Sequence, residues 1–237
     1  MDLEVRYWSL DRPLEGESAL ALERIFSPSE LERRSRLVSP QLRERWGRAR
    51  LGLRLSLGHS LQLPPESLEF ALAPGGKPYH PRHPRLAFNL SHSEGWAALV
   101  YLQRPEGSKA AVGIDLEASL PQAPLEVGKR FFAPRESLFL ERLPPEQRGI
   151  AFRRLWTRKE ALLKLEGSGL RIPLRHFAVE GERPLWLHGE SPFAHLWLAT
   201  YRWGLEWSLS LAANFEPRRL HWQALAPTPN LLIERDV

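Results

Sequence analysis

The chain has 237 residues, 43% hydrophobic and 26% charged, enough for one large folded domain or two small ones and too little charge for disorder. It has no cysteine, which excludes disulfides, thiolate metal sites and a cysteine nucleophile, and no apolar run approaches the ~18 residues of a membrane span. The net charge of +5 and isoelectric point near 9.9 favour anionic partners: nucleic acid, anionic lipid, phosphorylated small molecules or an acidic protein.

Residues 3–8, Leu-Glu-Val-Arg-Tyr-Trp, alternate apolar and polar and predict a first strand. The start of the chain lacks a basic segment leading into an apolar one, so a cytoplasmic location is expected. From Ser27 to Leu63 the spacing is helical, and Pro40 divides it into helices over Ser29–Leu37 and about 41–61. Trp46, Leu53 and Leu57 share one stripe of the second helix, which Pro64-Pro65 ends. A short strand over 70–72 precedes the turn signal Gly75-Gly76. Strands are predicted over 86–90 and 96–102, with Ser91–Gly95 as the turn between them. Arg104–Lys109 reads as a linker near the midpoint. A strand over 111–116 follows, then helices over 134–143 and 146–165, the second closed by Gly167-Ser168-Gly169. The remainder is β-like: 177–180, 185–188, 195–202, 205–212 and 220–225, with Gly204 suggesting a hairpin. Each half runs strand, helices, strands, although no residue-level repeat is visible.

Three segments carry chemistry. In Gly113-Ile114-Asp115-Leu116-Glu117 the two acids point to one face of a strand, roughly 6.5–7 Å apart. Two anions so placed suit a dication such as Mg²⁺, which takes carboxylates together with substrate phosphates; a solvated outer strand face is the plainer alternative. In Trp156-Thr157-Arg158-Lys159-Glu160-Ala161-Leu162-Leu163-Lys164, Trp156, Glu160 and Lys164 lie along one helix face. A Glu-to-Lys pair at that spacing is also an ordinary surface ion pair. This helix is apolar enough to be packed, however, and Lys159 and Lys164 are two of only five lysines against 28 arginines. In Phe88-Asn89-Leu90-Ser91-His92-Ser93, backbone amides and small hydroxyls could hold phosphate oxygens, or form a plain Ser turn. Adjacent Ser and His do not face each other as a hydrolase pair must, and no G-x-S-x-G elbow exists. The arginine run from Arg33 to Arg54 reads as a nucleic-acid patch without any recognised reading motif, as a solvated helix face paired to glutamates, or as a clamp for a phosphorylated nucleotide.

Taken together and in this order, between Gly75 and Leu170, the three segments and the turn Gly76-Lys77-Pro78-Tyr79 resemble the signature of the Sfp-type 4′-phosphopantetheinyl transferases. The resemblance implies an α+β fold of two pseudo-symmetric halves, each with a small antiparallel sheet packed against helices. Residues 1–104 would form the nucleotide side of the coenzyme A site, and 105–237 would carry the metal and catalytic motifs. It implies transfer of 4′-phosphopantetheine from coenzyme A to a serine of an acidic apo carrier protein, by a monomer that uses Mg²⁺ or Mn²⁺ and neither membrane nor nucleic acid. Asp115, Glu117 and Glu160 would bind the metal, with Glu160 helping to take the serine proton. Lys164 would contact the diphosphate and assist its departure. Ser91 and His92 would hold the diphosphate and the 3′-phosphate side, Lys77 would face the cofactor, and Arg45 and Arg33 would reach the nucleotide phosphate. Glu30 stands where a second basic residue is frequent in the family, and Leu162 replaces a frequent aromatic. A non-catalytic module that binds carrier proteins or coenzyme A is the competing reading.

Overall fold

The computed structural model describes residues 1–118, 123–167, 172–181, 183–192, 194–203, 207–225 and 233–236; Ser168, Gly169, Leu170 and the expected hairpin residue Gly204 lie outside them. Strand β1 (Leu3–Ser9) is buried on both faces, Leu3 and Val5 on one and Trp8 on the other. Helix α1 (Ala19–Ile25), which the periodicity does not announce, is capped by Ser18. Helix α2 (Pro28–Ser35) opens with a Ser27/Glu30 capping box. Pro40 separates it from α3 (Pro40–Leu61) by serving as the first residue of the new helix behind the cap Ser39, where its missing N–H costs nothing. Two short strands, β2 (Ala71–Leu72) and β3 (Pro78–Tyr79), flank the Gly75-Gly76 turn. β4 (Leu86–Ser93) and β5 (Trp96–Gln103) form a hairpin, followed by β6 (Val112–Ala118). Helices α4 (Leu125–Phe131), α5 (Pro134–Arg142) and α6 (Pro145–Glu166) come next. β7 (Phe177–Ala178) pairs with β8 (Leu185–Trp186), and β9 (Trp197–Trp203), β10 (Trp207–Ala213), β11 (Leu220–Ala224) and β12 (Ile233–Asp236) complete the described elements.

Two four-stranded sheets organise the molecule, in the orders β11-β1-β5-β4 and β12-β9-β10-β6. The second is antiparallel throughout. The first is not, because β11 lies parallel to β1, with Leu3 opposite Leu220 and Tyr7 opposite Ala224. Strand 220–224 therefore leaves the C-terminal half of the sequence and completes the N-terminal sheet. Leu3, Val5, Ala98 and Val100 of one sheet meet Ile114, Leu116, Leu209 and Leu211 of the other in a central core. Helix α3 packs on the far side of the first sheet and α6 on the far side of the second.

The segment 91–95 is not a turn. β4 continues through Ser93, and only Glu94 and Gly95 turn the chain, with Glu94 left-handed at φ 46°. The reason lies across the sheet edge. Asn89 Oδ1 accepts from Ile114 N at 2.8 Å and Ser91 Oγ from Leu116 N at 3.2 Å, so β4 and β6 are joined by side chains rather than a main-chain ladder. That seam brings the two sheets together and fixes where the acids of β6 stand.

A single glycine lets α6 lie on β6. A Cβ at Gly113 would fall 2.1 Å from Ala161 O and 2.5 Å from Leu165 N, both rigid backbone atoms. Gly113→Ala should therefore destabilise the protein at or above the upper end of the roughly 1–3 kcal/mol typical of overpacking. Denaturant melting checks this, and an unchanged midpoint would show that the helix is free to move off the strand.

Candidate active site

Three elements deliver the polar centre. β6 carries Asp115 and Glu117 on one face, β4 brings Ser91 and Ser93 beside them, and α6 lays Trp156, Glu160 and Lys164 across them from successive turns. Asp115 is 3% exposed. Its Oδ1 accepts from Lys164 Nζ at 2.6 Å and from Ser91 Oγ at 3.1 Å, while its Oδ2 is buried with no hydrogen-bond partner. Ser91 Oγ also accepts from Lys164 Nζ at 3.0 Å. Glu117 accepts from Ser93 Oγ at 2.8 Å and from the Trp156 side chain.

Electrostatics mark this as one cluster. Burial raises the pKa of Glu117, and the Asp115 charge adds to it. Burial likewise raises Glu160, helped by Asp115 and Glu117 and opposed by Lys164. Among the described residues no group of three or more His, Cys, Asp or Glu side chains is arranged as a metal site. The donors nevertheless fit a hard cation: three carboxylates repel one another, one lysine offsets only part of that charge, and a buried carboxylate oxygen lacks a partner. Such an atom is costly to leave unpaired. Asp115, Glu117 and Glu160 are the residues that could hold the ion.

A cleft of about 190 Å³ opens beside the cluster, lined by Gly75, Gly76, Lys77, Asn89, Glu160 and Lys164 among others. His92 sits on the opposite face of β4 from Ser91 and Ser93. It is exposed, yet crowding by surrounding protein, then the charges of Lys164 and Arg33, hold its pKa below the ordinary imidazole value. Arg33 is exposed on α2, stacked over Trp46 at 6.0 Å. Arg45 is paired bidentately to Asp11, at 2.7 and 3.1 Å, and to Glu94 at 3.4 Å. Its charge faces two acids, so an anionic ligand reaching it must compete with them.

Two residues stand differently from what the resemblance implies. The Ser91 hydroxyl is buried, and its one donor and two acceptor positions are taken by Asp115, Leu116 N and Lys164. It organises the acids instead of facing an open phosphate site. Lys77 lines the cleft, but its ammonium is committed to two backbone carbonyls, Val112 O and Leu165 O. Glu30 is structural as well: it is buried, ion-paired to Arg50 and, at 2.6 Å, to Arg54. Much of the arginine run is neutralised in this way, with Arg48 on Glu17 and Arg36 on Glu32.

Sequence reasoning missed the roles of Asn89 and Ser93. Their spacing with Ser91, every second residue of one strand, was the available signal.

Comparisons with known proteins point to one family. The sequence model of the 4′-phosphopantetheinyl transferase superfamily matches residues 111–201, which include β6 and α6. A 4′-phosphopantetheinyl transferase of Bacillus subtilis is 31% identical over 209 residues, 86% of this chain and 89% of the relative. The 4′-phosphopantetheinyl transferase Sfp of Bacillus subtilis (strain 168) is 30% identical over 186 residues, 78% of this chain and 80% of its own. A protein of Synechocystis sp. is 38% identical over 164 residues, 68% of this chain and 63% of its own length. The chain belongs to the 4′-phosphopantetheinyl transferase superfamily, in its Sfp-type branch, and is an enzyme of that class. Among the described residues no helix is long and apolar enough to cross a membrane.

Proposed function

We propose that this enzyme transfers the 4′-phosphopantetheine group from coenzyme A to a serine hydroxyl of an acidic carrier protein, releasing 3′,5′-adenosine diphosphate. The observation that supports this most is the meeting of Asp115, Glu117, Glu160 and Lys164 beside a cleft, with Asp115 Oδ2 buried and unpartnered. Mg²⁺, or Mn²⁺ in its place, would be held by the three carboxylates and would neutralise diphosphate charge.

The serine oxygen attacks the diphosphate phosphorus next to the pantetheine. A new P–O bond forms, the P–O bond to the nucleotide phosphate breaks, and the serine proton passes to a carboxylate. Glu160 suits that last task, because of the three acids it is the one that lines the cleft, beside Lys164. Lys164, 29% exposed, places its ammonium between Asp115 and the cleft, where it can meet charge gathering on the leaving phosphate. Ser91 and Ser93 hold Asp115 and Glu117 in register. On this reading His92, Arg45 and Arg33 lie on the side of the nucleotide phosphates, residues 1–104 form that side and 105–237 the reacting side. The enzyme acts as a cytoplasmic monomer and has no nucleic-acid partner. The basic surface would steer an acidic carrier, so association should weaken with salt.

The test is a panel of apo carrier proteins incubated with coenzyme A and Mg²⁺ and weighed by mass spectrometry. One phosphopantetheine should be added to a single serine, and chelation should abolish the gain. A panel that stays unmodified throughout would remove the proposal. Modification that survives exhaustive chelation would remove the metal from it.

A further inference from the structure

Lys77 stands apart from the other residues of the cleft. It belongs to the β2–β3 turn of the first half, yet its Nζ donates to Val112 O at 2.9 Å and to Leu165 O at 3.0 Å. Val112 is the first residue of β6, the strand that carries Asp115 and Glu117. Leu165 lies in the last turn of α6, directly after Lys164 and just before the left-handed cap Gly167. The stem of Lys77 runs against that cap, where a Cβ on Gly167 would fall 3.1 Å from Lys77 Cδ.

The last carbonyls of a helix have no partner within it and carry the negative end of its dipole. The one at Leu165, together with the carbonyl of Val112 at the start of β6, receives its partner from one side chain, supplied by the opposite half of the sequence. We propose that Lys77 is a positioning residue that fastens the end of α6 to the beginning of β6, and so sets the separation between Glu160 and Lys164 on the helix and Asp115 and Glu117 on the strand. This rests on the reading of that cluster as the reacting centre. Burial, with Arg104 nearby and Glu166 opposing, lowers the pKa of Lys77 to about 8, but either protonation state keeps at least two N–H donors. The two bonds therefore persist on both sides of that pH.

A cofactor-binding lysine and a positioning lysine fail differently when removed. Loss of a ground-state contact raises KM, whereas misplacing reacting groups lowers kcat. Lys77→Met should lower kcat by about 10–100-fold, the scale of a slightly displaced catalytic group, while KM for coenzyme A stays within about twofold. Propylamine, which matches the three carbons and amine that alanine lacks, should restore part of the lost kcat to Lys77→Ala. A rise of about tenfold or more in KM at unchanged kcat would overturn the proposal.

The wild-type protein gives a second measurement that needs no variant to fold. With only five lysines in the chain, side-chain NMR can follow each one. The Lys77 Nζ protons should exchange slowly, and coenzyme A should shift the Lys164 signal without moving that of Lys77. Fast exchange at Lys77, or a ligand-induced shift matching that of Lys164, would overturn the placement. Slow exchange would support it even if no carrier were modified, so this inference and the proposed function can fail separately.

Discussion

Replacing Glu160 with glutamine is expected to lower turnover by about 10²–10⁴-fold, the usual contribution of a positioned proton acceptor, without lowering thermal stability in metal-free buffer. The first effect follows from removing the group best placed to take the serine proton. The second follows from the sign of its pKa. Burial and the neighbouring acids raise Glu160 above the ordinary carboxylate value of 4.5, so the folded state takes up a proton there more readily than the unfolded chain does. In the window between 4.5 and the raised value, stability falls as pH rises. Above that window the ionised Glu160 keeps its full cost. The neutral variant carries none of this, so its advantage over wild type should grow as pH climbs out of the acid range. Melting both proteins across pH in chelator, beside single-turnover assays, checks each part. A variant that melts well below wild type at neutral pH would show that the cluster holds the fold together instead of straining it.

Lys159, one residue away, should behave in the opposite sense. Lys159→Met is expected to destabilise the protein by about 3–5 kcal/mol, the cost of leaving a buried charge without its partner. Both Lys159 and Glu136 are 0% exposed, and Nζ meets Oε2 at 2.7 Å. All three ammonium protons are placed, the other two on Leu174 O and Phe177 O. Glu136 also accepts from Ala133 N and Val179 N, tying α5, α6 and the segment after α6 into one unit. Burial pulls the lysine pKa down and pushes the glutamate up, and the mutual ion pair opposes both. Adding Glu136→Gln to Lys159→Met should recover part of the lost stability, because the amide oxygen still accepts from Val179 N without a stranded charge, although its NH2 then faces Ala133 N. A double-mutant cycle by denaturant unfolding measures the coupling. Strictly additive losses would mean that the pair is not coupled.

These two neighbours show what the sequence could and could not disclose. Helical spacing alone placed Trp156, Glu160 and Lys164 on one face, and the face does meet β6. Composition marked Lys159 as unusual but could not say that it points to the other side of the helix, because its partner Glu136 lies 23 residues earlier on a separate helix. Strand alternation gave Asp115 and Glu117 a common face in the same way. The polar run at 91–93 looked like a turn because its hydroxyls bond across to β6, a contact between segments 25 residues apart that local pattern does not encode. Strand 220–224 was legible as a strand but not as a neighbour of β1, since that pairing joins the two ends of the chain. The GKP turn suggested a lysine for the cofactor, and only tertiary placement reveals the two carbonyls that claim it. Glu30 looked like a defect in a basic clamp and is instead the buried counter-ion of Arg50 and Arg54.

The most direct test is calorimetric titration of Mg²⁺ into the protein saturated with coenzyme A, for wild type and for Asp115→Asn. A single dication site per wild-type chain, largely lost in the variant, is the expected result. Equal binding by the two proteins would contradict the account, because the buried carboxylate at its centre would then have no part in holding the ion.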